Sequence, residues 1–223
     1  MKRNVILGFF ALSATLFLTA YGGGVKDKGS NDYKTVKIGS QEWMAENLNA
    51  STFRNGDPIP QAKTEEEWTK AGEEGKPAWC YYENDPANGN IYGKFYNWHA
   101  VNDLRGLAPE GWHVPTDEEW TTLTESLNGT REAGGKLKEA GTAHWNSPNE
   151  GATNETGFTA LPGGSRYYNG KFSGIGEYGG WWCASGYGTS NSAWLRGLGY
   201  GHSGVFRQIS FMMDGLSVRC IRD

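Results

Sequence analysis

Thr116-Asp117-Glu118-Glu119-Trp120 is a helix start written in side-chain chemistry. The threonine hydroxyl is placed to accept from the third helical N–H, and the glutamate three residues on reaches back to the threonine N–H. The remaining carboxylates sit at the positive end of the helix, where they are favoured. Trp120, Leu123 and Leu127 then recur at helical spacing, and Asn128-Gly129 supplies a stop. Thr64-Glu65-Glu66-Glu67-Trp68 repeats the signature earlier in the chain. These acids serve their helices, so Glu118 and Glu119 are poor catalytic candidates. Pro115 fixes the entry to the second helix, and Trp112 and Trp120 are expected core anchors.

Outward from these helices the pattern changes. Tyr33-Lys34-Thr35-Val36-Lys37-Ile38 alternates like a strand, Gly39-Ser40 turns it, and Gln41-Glu42-Trp43-Met44 reads as its hairpin partner. Lys136–Ala140 reads as one more short helix. From Phe158 onward, short apolar runs are separated by glycine pairs: Phe158–Leu161, Trp181–Ala184, Ala193–Arg196 and Ser217–Ile221. That spacing means short strands joined by long ordered loops. Helices early and strands late argue for an α+β domain rather than a wound parallel sheet.

The amino terminus reads as an address. Lys2 and Arg3 precede an uncharged apolar run from Val5 to Ala20, shorter than the ~20 residues of a membrane-spanning helix. Residues 1–20 are therefore expected to be a signal peptide and the protein to be exported. Leu18-Thr19-Ala20 with Gly22-Gly23-Gly24 resembles a bacterial lipoprotein signal, but Tyr21 stands where the acylated cysteine would be, which puts an N-terminal membrane anchor in doubt. Residues 21–32, rich in Gly, Lys, Asp and Ser, read as a flexible tether. The domain proper is expected over 33–223. Without Lys2 and Arg3 the chain carries 19 basic against 25 acidic residues, so no broad basic field exists for nucleic acid or anionic lipid. Glycine, at 33 of 223 residues, is about double its usual share, and ten tryptophans and eleven tyrosines accompany it. Glycine with aromatics is the composition of loops packed on flat rings, and of contact surfaces.

Several strings are specific beyond composition: Tyr92-Gly93-Lys94-Phe95-Tyr96-Asn97-Trp98, Gly111-Trp112-His113-Val114-Pro115-Thr116, Gly157-Phe158-Thr159-Ala160-Leu161-Pro162-Gly163-Gly164, and the ending Ser217-Val218-Arg219-Cys220-Ile221. From about Val36 to Asp223 the chain resembles the Fibrobacter succinogenes major paralogous domain, a family of exported bacterial proteins. The Trp-His-Val-Pro-Thr-x-x-Glu-Trp segment also resembles the formylglycine-generating and sulfatase-modifying group. The resemblance implies a C-type-lectin-like fold with two main helices, a small twisted antiparallel sheet and long Gly-rich loops. Fold alone leaves function open.

An oxidase of the formylglycine-generating type needs two close thiols, because soft thiolates suit copper(I). Cys80, Cys183 and Cys220 are far apart in sequence and form no C-x-x-C. One disulfide with a spare thiol and three buried thiols both remain open, with Cys80 and Cys220 the candidate pair. No G-x-S-x-G elbow exists to expose a serine nucleophile. His99 and His113 read as core histidines, His144 as a loop residue, and His202 as a contact residue. Arg219, in a terminal strand, reads as a buried hydrogen-bond donor. The sugar-binding Glu-Pro-Asn or Gln-Pro-Asp strings of calcium-dependent lectins are absent. Asn84, Asp85, Asn88 and Asn90 leave room for a structural calcium, although Asn/Asp turns need no metal. No other cofactor is expected.

Gly179–Asp214 is the stretch that bears most on function. Aromatic residues alternate there with small ones, and Tyr187, Leu195, Gly197, Tyr200, Gly201, His202, Phe206, Gln208 and Phe211 are the expected ligand-binding residues. Trp181, Trp182 and Trp194 are equally well read as core. The family resemblance adds that related segments are rewritten by diversity-generating retroelements. The matching positions are Leu195, Gly197, Gly199, Gly201, His202, Gly204 and Phe206, alternating with a fixed set that includes Trp194, Arg196, Leu198 and Arg207. Alternation is also what one exposed face of a strand gives. The expectation is a non-catalytic, exported cell-envelope module binding a protein or glycan. The alternatives are an enzyme or enzyme accessory on the same scaffold, and a structural subunit of a surface assembly.

Overall fold

The computed structural model describes residues 21–223, with the backbone alone for 21–23; the export signal read over 1–20 lies outside them. The chain is mixed α+β, with twelve strands and five α-helices among the described residues. The hairpin reading holds: β2 (Asp32–Ile38) and β3 (Gln41–Met44) pair with Ile38 opposite Gln41, so Gly39-Ser40 is a two-residue turn. Gly39 takes φ +61°, which a glycine adopts freely. The strand β12 (Ile221–Arg222) inserts between β3 and β6 (Trp112–His113), placing Ile221 beside both Trp43 and His113. The two ends of the domain are thereby joined in one antiparallel five-stranded sheet, ordered β1-β2-β3-β12-β6.

The first strand corrects the expected tether. Tyr21–Lys26 forms β1, antiparallel to β2, with Val25 opposite Tyr33. Val25 packs against the core, and the turn after β1 is closed by Asp27, which accepts from Asn31 and from the Tyr33 hydroxyl. The polar composition misled because a glycine run on an edge needs only backbone partners, which the outer side of β2 supplies.

Both capping boxes are present. Thr64 caps α1 (Glu65–Glu73) and Thr116 caps α4 (Asp117–Ser126), each with its third helical glutamate reaching back. Shorter helices are α2 (Pro86–Tyr92), α3 (Trp98–Val101) and α5 (Ala133–Leu137). The helix expected over Lys136–Ala140 lies slightly earlier, because Lys138 turns extended to bridge Ala160. Phe158–Leu161 is not a strand. Its carbonyls serve side chains instead: Phe158 accepts from Arg219, and Ala160 accepts from the Trp145 indole.

A second sheet, β11-β10-β9, is built from β9 (Tyr178–Gly186), β10 (Ser192–Gly199) and β11 (Phe206–Phe211), where one small sheet was expected in all. Two short ribbons complete the strands: β4 (Trp79–Cys80) with β5 (Phe95–Tyr96), and β7 (Ser165–Arg166) with β8 (Phe172–Ser173). The core has three parts. One centres on Met44, Tyr96, Trp182 and Val218, another on Trp43, Trp120, Phe158 and Trp181, and a third on Trp68 and Phe95. Arg219 joins the first two. Its guanidinium donates to the Asn47 side-chain oxygen at 2.8 and 3.2 Å and lies 4.1 Å from the Phe158 ring centre. Burial lowers it to about 9, and the hydrogen bonds it makes are what a buried charge requires.

The candidate disulfide is overturned. Cys80, Cys183 and Cys220 are free and buried, one in each core part. An odd set of cysteines leaves room for one bridge, but here each thiol packs as a small apolar side chain. Burial pushes Cys80 and Cys183 up to about 12. Among the described residues no helix is long and apolar enough to cross a membrane.

Candidate functional site

Strand register divides β10 and β11 into two faces. Opposite residues share a face, so Leu195 with Gln208 and Gly197 with Phe206 lie on one side. Trp194 with Ile209 and Arg196 with Arg207 lie on the other. The second side is fixed to the body of the domain. Asp117, at the start of α4, accepts from Arg196 and takes both Nε and Nη2 of Arg207 at 2.8–3.0 Å. Burial works against the Asp117 charge, but hydrogen bonds from Arg207 and Arg196 hold its carboxyl below its ordinary range. The Arg207 guanidinium also stacks 3.5 Å from the Trp194 ring centre. Trp181 and Trp182 are core.

The first side packs Ala193, Leu195 and Trp182 into the first core part and opens to solvent only along β11. It carries a depression of about 360 Å³, floored by Leu195 and Leu216 and walled by β7, β8 and β11. That volume is within the range of small-ligand sites. Tyr178 lies along this face over paired glycines: a Cβ at Gly197 would meet its hydroxyl at 2.6 Å, and one at Gly180 its ring at 2.8 Å. The two glycines make the trough that the tyrosine fills. Burial raises the Tyr178 phenol well above its ordinary range. Further along, the His202 ring sits over Gly199 and meets Phe206 edge-on at 4.3 Å.

The loop carrying Gly201 and His202 is held by its backbone. Lys138, 0% exposed, donates to the carbonyls of Glu150, Gly199 and His202 at 2.9–3.0 Å. Burial lowers its ammonium to about 8. Gly135 N–H donates to Ser203 O, Val205 N–H to Thr130 O, and Glu150 N–H to Tyr200 O. Gly134 and Gly151 pack so closely on Gly204 and Ser203 that no Cβ fits between.

The nine residues expected to bind ligand do not all meet. Leu195, Gly197, Phe206 and Gln208 share the open face, with Gly201 and His202 at its loop end. Leu195 is only 4% exposed and Gly197 is buried under Tyr178, so they shape the floor and offer little contact area. Tyr187 and Phe211 belong to the opposite side: Tyr187 packs edge-on to Trp194 at 5.0 Å, and Phe211, 55% exposed, registers with Ser192 and packs near Tyr168. Tyr200 packs against the second core part. Tyr187 lies in the turn between β9 and β10, which shifts the parity of alternation, and Phe211 stands three residues from Gln208 within β11, an odd spacing that puts it on the other face. The walls from Ser165, Tyr167, Glu177, Tyr178 and Asp214 were missed. They reach the depression from three separate stretches of chain, around β7, the start of β9 and the turn after β11, and no local pattern marks them.

Elsewhere, His113 bridges Glu119 and Asp223 at 2.7 Å each, and His144 meets Glu139 at 2.9 Å. Asp85 caps α2 by accepting from Ala87 N–H, and Asn88 donates to Tyr82 O. No cluster of three or more His, Cys, Asp or Glu suited to a metal occurs among the described residues.

Fold and site together define a mixed α+β domain with a polar, open hollow on a glycine-backed sheet and no paired thiols. The chain belongs to the Fibrobacter succinogenes major domain family, whose model matches residues 36–222. No curated protein and no solved structure matches it.

Proposed function

We propose that this is an exported, non-catalytic recognition module of the cell envelope, on a C-type-lectin-like scaffold, binding its ligand in the hollow of the β9-β10-β11 sheet. The observation that carries the reading is the division of labour between the two sheet faces. Arg196, Arg207 and Trp194 tie one face to α4, while Leu195 and Gln208 line the hollow and Phe206 packs on His202 beside it. The β11 side chains of this face, Phe206 and Gln208, are not core and can change without loosening the fold, as a diversified binding segment requires. The scaffold reading is supported by the two capped helices and by the C-terminal strand closing onto the N-terminal hairpin. The separate burial of the three thiols speaks against copper-thiolate oxidation. The acidic balance speaks against nucleic acid, and membrane contact is assigned only to an N-terminal anchor that Tyr21 would abolish.

The test is capture of labelled envelope glycan and protein pools on the immobilised protein, with Gln208→Trp to fill the hollow. Loss of capture with an unchanged melting temperature is expected. Undiminished capture by the filled variant places the site elsewhere.

A further inference from the structure

Asp214 is the unusual group in the hollow. It is 5% exposed and lines the depression, yet no cation pairs with it among the described residues. Its oxygens accept from Tyr168 N–H at 2.7 Å, from Phe211 N–H at 3.2 Å and from the Ser210 hydroxyl. A carboxylate has about four acceptor sites, so one remains on the oxygen that takes only Tyr168. Burial raises its pKa, the expected response of a carboxylate lacking a counter-charge.

The cationic side chain in the lining, Arg166, is committed elsewhere. Its guanidinium donates to the carbonyls of Ala62, Thr64 and Gly170, and is sandwiched 4.8 and 4.7 Å from the rings of Trp68 and Phe172. Glu177, exposed at the rim, adds a second carboxylate. The remaining polar wall comes from Ser165, Ser173 and Gln208, with the rings of Tyr167 and Tyr178 beside them. Two carboxylates against one sequestered guanidinium repel anions and attract a cation. Hydroxyls and an amide facing aromatic rings suit a ligand with hydroxyls on its edges and C–H groups on its faces.

Resting on the hollow being the binding site, we propose that it takes an amino sugar with a free, protonated nitrogen, the ammonium directed at Asp214 and the ring lying against the tyrosines. Acylation of the nitrogen removes the charge, so the site discriminates free from acylated amines. A lysine side chain brings the ammonium without hydroxyls and leaves Gln208 and the serines unmatched.

Titration calorimetry of the whole chain with glucosamine, N-acetylglucosamine, glucose and lysine amide tests this. Glucosamine is expected to bind about tenfold or more tighter than N-acetylglucosamine and glucose, as for one hydrogen bond between charged groups, and tighter than lysine amide, which lacks the hydroxyls. Asp214→Asn should erase the preference. Because Asp214 also accepts three internal bonds, Glu177→Gln on the exposed rim serves as the second variant, and should weaken glucosamine while leaving glucose unchanged. Equal binding of glucosamine and N-acetylglucosamine overturns the charge assignment, and equal binding of lysine amide overturns the sugar. If no sugar binds while Gln208→Trp still abolishes envelope capture, the ligand class is wrong and the site stands. If capture also survives Gln208→Trp, the site itself is refuted.

Discussion

Replacing Lys138 by methionine tests whether the backbone clamp holds the binding loop. The substitution keeps length and most of the volume and removes only the ammonium. Three carbonyls, of Glu150, Gly199 and His202, then lose a donor in a buried setting. Hydrogen bonds from a charged donor contribute about 1.5–3 kcal/mol each. Against that stands the cost of burying the charge, visible in the ammonium's fall from 10.5 to about 8, or roughly 3 kcal/mol at 1.36 kcal/mol per unit. The net loss expected is about 3 kcal/mol. It should be local first, because two of the three carbonyls, Gly199 and His202, bracket the turn that carries Gly201. Urea denaturation measures the total, and hydrogen exchange of Tyr200–Val205 measures the loop. Glucosamine or envelope-pool binding should weaken along with the loss of protection. A loss under about 1 kcal/mol with unchanged protection of Val205 would refute the clamp, since Val205 N–H donates to Thr130 O within the same arrangement.

Gly134→Ala should be the more damaging of two glycine substitutions, costing roughly 2 kcal/mol or more by overpacking, because its Cβ meets the Gly204 backbone, whereas that of Gly197→Ala meets the Tyr178 side chain, ring and hydroxyl, rather than backbone; equal melting temperatures would contradict this. Thr116→Ala should cost about 1 kcal/mol in a denaturation series, and an unchanged midpoint would count against the capping box. His113 supplies a pH dependence. Burial pulls its pKa down, but hydrogen bonds to Asp223 and Glu119 win and raise it above 6.5. Its stabilisation is fully present below pH 6.5 and is lost as pH rises through the folded value. His113→Gln should therefore lower the melting temperature more at pH 5.5 than at pH 8.5, and the opposite order would refute the assignment.

Local chemistry made part of this protein legible in its sequence. Thr64 and Thr116 announce their helices because a capping box satisfies groups within four residues, and the Gly39-Ser40 hairpin is equally short-range. Arg219 was readable as a buried donor because an arginine in an apolar run has few other uses. The alternation along β10 gave the two faces, since side-chain period two is a property of the backbone. Whether a face was open or covered depended on α4, whose Asp117 reaches across 79 residues to Arg196. The thiols looked pairable until the three core parts separated them. The tether looked free until the edge of β2 gave its backbone partners. The hollow itself is set by Glu177 and Tyr178 at the start of β9 and by Asp214, 36 residues on, which no local spacing links. Short-range hydrogen bonds and strand parity are encoded where they act. Which surfaces meet, and therefore which polar groups face one cavity, is decided only when segments far apart in the chain compete to bury their apolar faces.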